Sequence, residues 1–524
     1  MKNLAALLLA LAALLAALAL FQKRGTTPGS PTTTTALTVY CAAGLKQPVE
    51  AIAAKYRSEF GVEVRLQYGP TGALLSNLRV AKQGDLFIAA DDGSVADARK
   101  HELVREIVPL VRQHPVIAVR AGNPKNIHTL ADLLRDDVKL ALTNPDAASI
   151  SRVTKAALAE NSLIAGGRPV VVWDQLAKRA VVMKPAVTEV AADLSLGTVD
   201  AAILWDATVP QFKGLAAVEV PELKDRHEHA SAAVLNSTLQ SAAALKFARY
   251  LTAPEKGGEV FRAQGFQLAG GDKWAEKPEL ILYSGGVNRL AIEKLLRQFA
   301  DREGINLTTV FNGCGILCAT MKTMSDAKAA KFPDAYYACD LCFVPPVAEQ
   351  FPEAVMLTET DIGIAVRKGN PHGVRTLADL ALPGLKVGLC NAEQSTLGFM
   401  TRGMLKQTGL LDSVRKNVVV EVPTADFLIN QMRAGGLDAA IVYRVNAAPQ
   451  AEHLEFFPIK HEGAKAIQPF AVRKDSPNTQ LARRLLEFLK ANRSEFEQAG
   501  FQWRGNEPAL KSKDIKVPEY LQQK

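Results

Sequence analysis

Cysteine has the most distinctive chemistry in this chain, and its placement is uneven. Cys41 stands alone in the first half, whereas Cys314, Cys318, Cys339, Cys342 and Cys390 crowd the second. The spacings Cys314-x-x-x-Cys318 and Cys339-x-x-Cys342 suit soft-metal ligation or thiol redox chemistry, with Cys314, Cys339, Cys342 and Cys390 as candidate metal ligands. Disulfides, for example Cys314–Cys339, and free buried thiols are the structural alternatives. All three readings stand at this point. His227-Glu228-His229 sets two histidines two residues apart before a helical stretch, and fits a solvated loop better than a metal site. Asp91 and Asp340 close short apolar runs, where a carboxylate ordinarily caps the next helix. No Ser/His/Asp set, HExxH helix or P-loop occurs, so the chain is read as a non-enzyme with no resident cofactor.

The elements that must position these residues come twice. Leu37-Thr38-Val39-Tyr40-Cys41 returns as Leu280-Ile281-Leu282-Tyr283-Ser284, and Tyr68-Gly-Pro-Thr-Gly72 returns as Phe311-Asn-Gly-Cys-Gly315. Gly122-Asn-Pro124 and Gly369-Asn-Pro371 are each followed by Thr-Leu-Ala-Asp-Leu, at Thr129–Leu133 and Thr376–Leu380. Asp200-Ala-Ala-Ile-Leu-Trp205 is echoed by Asp438-Ala-Ala-Ile-Val-Tyr443. A period of about 240 residues is far beyond a solenoid repeat and matches a whole globular unit. Within each unit, short apolar strands alternate with segments of helical periodicity such as Val49–Phe60 and Ala291–Glu303, which predicts a doubly wound, mostly parallel α/β sheet. A helix is expected over Thr129–Leu134 and over Thr376–Leu380. Pro115–Arg120 and Asp361–Arg367 read as strands leading into a second lobe. Ligands of such sheets sit at the carboxyl ends of the strands. There the loops 144–150 and 391–397 open new helices, whose free N–H groups and dipoles attract anions.

The 524 residues, 48% hydrophobic and 22% charged, suffice for two or more cores. The net charge of +8 suits anion handling as well as it suits a merely basic protein; without a Lys/Arg cluster interleaved with aromatics, nucleic acid is not expected as a partner. Leu4–Phe21 is an unbroken apolar run between Lys2 and Lys23-Arg24, close to the about 20 residues of a membrane span. Residues 1–24 are therefore a signal peptide or an N-terminal membrane anchor, with residues 4–21 in the membrane in the second case. Residues 25–35 form a Thr/Pro-rich tether. The remaining division is copy one at 36–270, a linker at 271–279, copy two at 280–507 and a tail at 508–524. The folded mass is expected outside the cytoplasmic membrane.

With these segments assembled, the chain resembles the periplasmic molybdate-binding family of extracellular solute-binding proteins. The residues that carry the resemblance in copy one are Thr38–Leu45, Tyr68–Leu74, Asp85–Asp91, Gly122–Pro124 and Asp200–Trp205. It implies two tandem copies of a two-lobed periplasmic-binding-protein-like domain that receives a small oxyanion and delivers it to an ABC permease. The family pattern implies a ligand held by neutral donors: a hydroxyl from each of the first two loops, backbone N–H groups and a tyrosine. Here the first hydroxyl falls on Gly44 and Val287, the second on Thr71 and Cys314, and the tyrosine on Trp205 and Tyr443. Neither copy carries the full set. The candidate binding residues are accordingly Ala43, Gly44, Thr71, Ser149 and Trp205 in copy one. In copy two they are Ser284, Asn288, Cys314, Ser395, Thr396 and Tyr443. Three readings remain: a retained site with rearranged donors, altered anion specificity, or loss of binding in one copy. A metal- or redox-responsive sensor using the copy-two cysteines is the alternative from a different class.

Overall fold

The structure, a computed structural model, describes residues 36–159, 161–165, 168–324 and 332–519. The predicted leader and tether lie outside the described residues. Among those described, no helix is long and apolar enough to cross a membrane.

Each copy has two α/β lobes. In the first lobe of copy one, Leu37–Ala42 lies between Val64–Gly69 and Leu86–Ala89, parallel to both, and Glu228–Leu235 and Val104–Gln113 extend the sheet antiparallel. The second lobe orders Leu215–Val218, Pro115–Arg120, Ala201–Trp205, Leu140–Thr143 and Val182–Lys184. Parallel pairs therefore sit beside antiparallel crossing strands. Copy two repeats the plan, with Glu279–Gly285 between Asn306–Asn312 and Ala335–Tyr337.

The repeated motifs turn out to be structural. Asp200 and Asp438 accept from the N–H of Lys139 and Lys386 at 3.0 Å, tying the starts of the strands Ala201–Trp205 and Ala439–Tyr443 to a neighbouring strand. Asn123 closes a turn on both N–H and C=O of Ile127, and Asn370 does the same on Val374. The predicted helices at Thr129–Leu134 and Thr376–Leu380 are single 3-10 turns, Ala131–Leu134 and Ala378–Ala381. Asp132 and Asp379 tighten them by accepting from the two preceding backbone N–H groups, which holds both carboxyls below their usual range. His227-Glu228-His229 is a correction: it opens the strand Glu228–Leu235, and His229 Nδ1 lies 3.0 Å from Asp92.

The copies differ at the crossing between lobes. In copy one the path breaks between Val104–Gln113 and Pro115–Arg120, since Pro115 brings no N–H to a ladder. Copy two has Thr360-Asp361-Ile362 there, and one strand, Glu353–Arg367, runs through both lobes. One continuous apolar core spans copy two, whereas copy one keeps separate cores for its lobes.

The copies join through their first lobes. Glu303 ends the helix Arg289–Glu303 and is 1% exposed, held by Arg249 of copy one and Arg484 of copy two at 3.1 and 2.7 Å. Arg302 pairs with Glu106 of copy one. The intervening residues are part of the seam: Asp272 accepts from the N–H groups of Gln480 and Leu481 at 2.7 and 2.8 Å, capping the helix Thr479–Ala491. Removing Glu303 would strand two buried guanidinium groups. Glu303→Ala is expected to destabilise the chain by about 3–5 kcal/mol, measured by denaturant unfolding; a change within error would show that the seam relaxes around the lost carboxylate.

Candidate functional site

In copy one the site forms where helix ends from both lobes converge. Thr71 is the first residue of the helix Thr71–Ala81 after the strand Val64–Gly69, and Pro70 leads into it with extended backbone. Ser149 likewise starts the helix Ser149–Ala157 in the second lobe. Both are buried, and neither hydroxyl has a hydrogen-bond partner in the described structure. Between them lies a cavity with about 20 Å³ open to the centres of water-sized atoms. A sphere of that volume has a radius of roughly 1.7 Å, so oxygen atoms could sit around one central atom there.

The wall is made by Ala43, Gly44, Thr71, Ser149 and Trp205 together with small and apolar neighbours, among them Ala90 and Val187. No charged side chain lines it. Its polar groups include the hydroxyls of Thr71 and Ser149 at the N-terminal ends of two helices, which supply partial positive charge without a cation. Gly44 leaves the position tight: a Cβ there would lie 3.3 Å from Val187 Cγ1. Trp205 ends the strand Ala201–Trp205, 2% exposed.

The lobes are closed on one another. Gly72 N–H donates to Ala147 O across the cleft at 2.9 Å, and a Cβ on Gly72 would stand only 2.8 Å from that oxygen. Gln211 of the second lobe donates to Gly44 O at 3.0 Å. Arg152, one turn along the helix from Ser149, reaches Asp91 Oδ1 and Ser94 Oγ at 2.6 Å each. Asp91 does cap the helix Asp92–Lys100, accepting from Ser94 N at 2.8 Å, and also serves as this latch.

Copy two presents other groups at the matching places. Cys314 begins the helix Cys314–Thr323 where Thr71 begins its own, and Cys339 stands where copy one has Ala90. Their sulfurs are 2.7 Å apart, and Cys339 N–H donates to Cys314 Sγ at 3.0 Å. Burial opposes the Cys314 thiolate, but donation from Cys339, Tyr336 and Thr396 outweighs it and brings this thiol below its usual value; burial and that donation push Cys339 up. Ser284 and Asn288 are buried, and Asn288 Nδ2 donates to Tyr337 O at 3.1 Å. Ser395 precedes the helix Thr396–Gln407 without a side-chain cap bond. Tyr443 Oη and Asn288 Oδ1 are buried without a partner. Phe399 takes the place of Arg152 and meets Phe343 edge to face, with ring centres 5.8 Å apart.

The structure bears on two of the cysteine readings. All six thiols are free, so the Cys314–Cys339 disulfide is not formed in this structure. Among the described residues no group of three or more His, Cys, Asp or Glu is arranged to hold a metal ion. Cys342 packs against Asp340, which accepts its N–H at 2.9 Å, and burial pushes Cys390 up to about 12. These thiols face different neighbours instead of converging.

The model of the family described as bacterial extracellular solute-binding protein matches residues 37–267 and again 280–502. The chain belongs to that family. A binding protein of Haemophilus influenzae is 32% identical over 116 residues, 22% of this chain and 47% of that protein, so the chain spans about half of that relative's length. The molybdate-binding protein ModA of Mycobacterium bovis is 26% identical over 230 residues, 42% of this chain and 84% of its own. Among solved structures, the periplasmic molybdate-binding protein of Azotobacter vinelandii aligns at TM-score 0.35 and 17% identity, covering 44% of this chain and 98% of its own. The sulfate-binding protein SubI of Mycobacterium tuberculosis aligns at TM-score 0.37 and 18% identity, covering 52% and 94%.

Ala43, Gly44, Thr71, Ser149 and Trp205 are thus brought together around one cavity. Sequence reasoning missed Arg152 and Gln211. Arg152 was within reach, since it lies three residues beyond Ser149 on the same helix face. With its side chain 39% exposed, Arg152 is expected to stabilise closure by about 1 kcal/mol. Arg152→Ala should therefore raise the radius of gyration of the ligand-free protein in small-angle scattering; an unchanged value would assign closure to the backbone contacts alone.

Proposed function

We propose that this chain is an exported binding protein that takes a small tetrahedral oxyanion of the molybdate and tungstate class in the cleft of copy one and passes it to an ABC permease. One observation carries the reading: a cavity of about 20 Å³ lined by no charged side chain, with two unpartnered hydroxyls, Thr71 and Ser149, at the starts of two helices. A buried dianion needs several directed donors, and helix ends supply compensating charge without a bulky cation that would overfill so small a space. The indole N–H of Trp205 can donate where the family pattern has a phenol. A molybdate-binding protein among the relatives, and membership of the extracellular family, support both the ligand class and the location. No catalytic step is assigned.

Titration calorimetry of the full chain with molybdate, tungstate and sulfate tests this. Molybdate and tungstate are expected to bind more tightly than sulfate. Thr71→Ala and Ser149→Ala each remove a hydrogen bond to a charged group, about 1.5–3 kcal/mol, so each should weaken binding roughly tenfold to a hundredfold. Absence of heat with all three anions would overturn the proposal.

A further inference from the structure

We infer that the cleft of copy two is a dithiol site for a small trivalent, thiophilic hydroxide, the class of arsenous and antimonous acid, captured by Cys314 and Cys339. The inference stands independently of the anion proposed for copy one.

Position comes first. Thr71 and Ala90 both line the copy-one cavity, and their counterparts are Cys314 and Cys339. Copy two therefore sets two sulfurs, 2.7 Å apart, at the positions where copy one offers a hydroxyl and a methyl group. Cys314 opens a ten-residue helix and receives the Cys339 N–H, the surroundings that favour a nucleophilic sulfur.

The second observation is a set of unused polar atoms beside the sulfurs. Tyr443 Oη and Asn288 Oδ1 belong to residues no more than 3% exposed, and neither has a hydrogen-bond partner. Buried polar groups without partners are rare and costly; with Asn288 bonded to Ala338 O next to Cys339, and Tyr443 near enough to feel both cysteines, they point to an oxygen-bearing ligand. A bare metal ion is poorly served by two sulfurs with no third His, Cys or carboxylate converging on them. A hard tetrahedral dianion would meet two weak S–H donors. A trigonal centre bearing hydroxyl groups suits both halves of the site: sulfur for the soft centre, oxygen partners for what remains.

The chemistry balances without a redox partner. Cys314 Sγ attacks the centre of E(OH)3, one E–S bond forms and one E–O bond breaks, and the thiol proton leaves with the displaced hydroxide as water. Cys339 repeats the step. The product carries two E–S bonds and one E–OH, two waters are released, and no oxidation state changes. Tyr443 and Asn288 then hold the remaining hydroxyl. Entry requires the cleft to part at Ile316 N and Gln394 O, 3.3 Å apart in the closed form.

The test uses the full chain isolated without reductant and sodium arsenite alone as the probe. Native mass spectrometry should show one arsenic per chain at equimolar reagent, with loss of two waters. Digestion of the wild-type adduct should give arsenic bridging the peptides of Cys314 and Cys339, a readout that needs no variant to fold. Cys314→Ser and Cys339→Ser should each weaken binding about a hundredfold, since one attachment then replaces two, while Cys41→Ala leaves it unchanged. Three results would overturn the inference: retention of the adduct in Cys314→Ser, a bridge mapping to other cysteines, or a Cys314–Cys339 disulfide in the isolated protein.

Discussion

The close approach of backbone to backbone across each cleft governs what both sites can be. In copy one, Gly72 stands against Ala147 O; in copy two, Gly315 stands against Glu393, where a Cβ would fall 2.1 Å from the carbonyl oxygen. Any side chain at either position would hold the lobes apart. Only with the lobes in contact do the two helix starts in copy one face one another across so small a space. The repeated Gly at the end of Tyr68–Gly72 and Phe311–Gly315 therefore belongs to closure, and the residue just before it, Thr71 or Cys314, decides what closure encloses.

That division between seam and lining explains how one fold presents two different linings. The Asp, Asn and Thr motifs that recur in both halves hold turns and strand ends, so they tolerate no exchange between copies. The lining makes few such bonds. Thr71 gives way to Cys314, Ala90 to Cys339, and the Arg152 latch to a Phe399–Phe343 contact, all without altering the elements beneath. The exchange of latch changes the energetics of opening. Copy one breaks a charge-assisted contact that water can replace, whereas copy two must expose aromatic surface from a core continuous through both lobes.

Much of this was legible because hydrophobic periodicity and turn residues act locally. The duplicated strands, the second-lobe entry at Pro115–Arg120 and the capping by Asp91 all follow from neighbours in sequence. The failures share the opposite cause. The pairing of Arg249 with Glu303 and of Arg152 with Asp91 joins residues far apart in the chain, and no local pattern announces either. His227-Glu228-His229 looked like loop because its polarity hid a strand that crosses between lobes. The spacing of the cysteines could not say whether two sulfurs would bond, ligate a metal or stay free, because that depends on which loops meet.

The seam between copies bounds how these clefts can move. Glu303 with Arg249 and Arg484, Arg302 with Glu106, and Asp272 on the helix Thr479–Ala491 all join first lobe to first lobe. Taking that buried carboxylate from its two cations costs several kcal/mol, far more than separating a latch such as Arg152–Asp91. Opening therefore belongs to the second lobes, each swinging on a fixed double base. In copy one the swing turns on the break at His114-Pro115; in copy two it must bend a single strand, Glu353–Arg367. The stiffer hinge sits in the copy whose lining carries thiols, and the freer hinge in the copy whose lining carries hydroxyls.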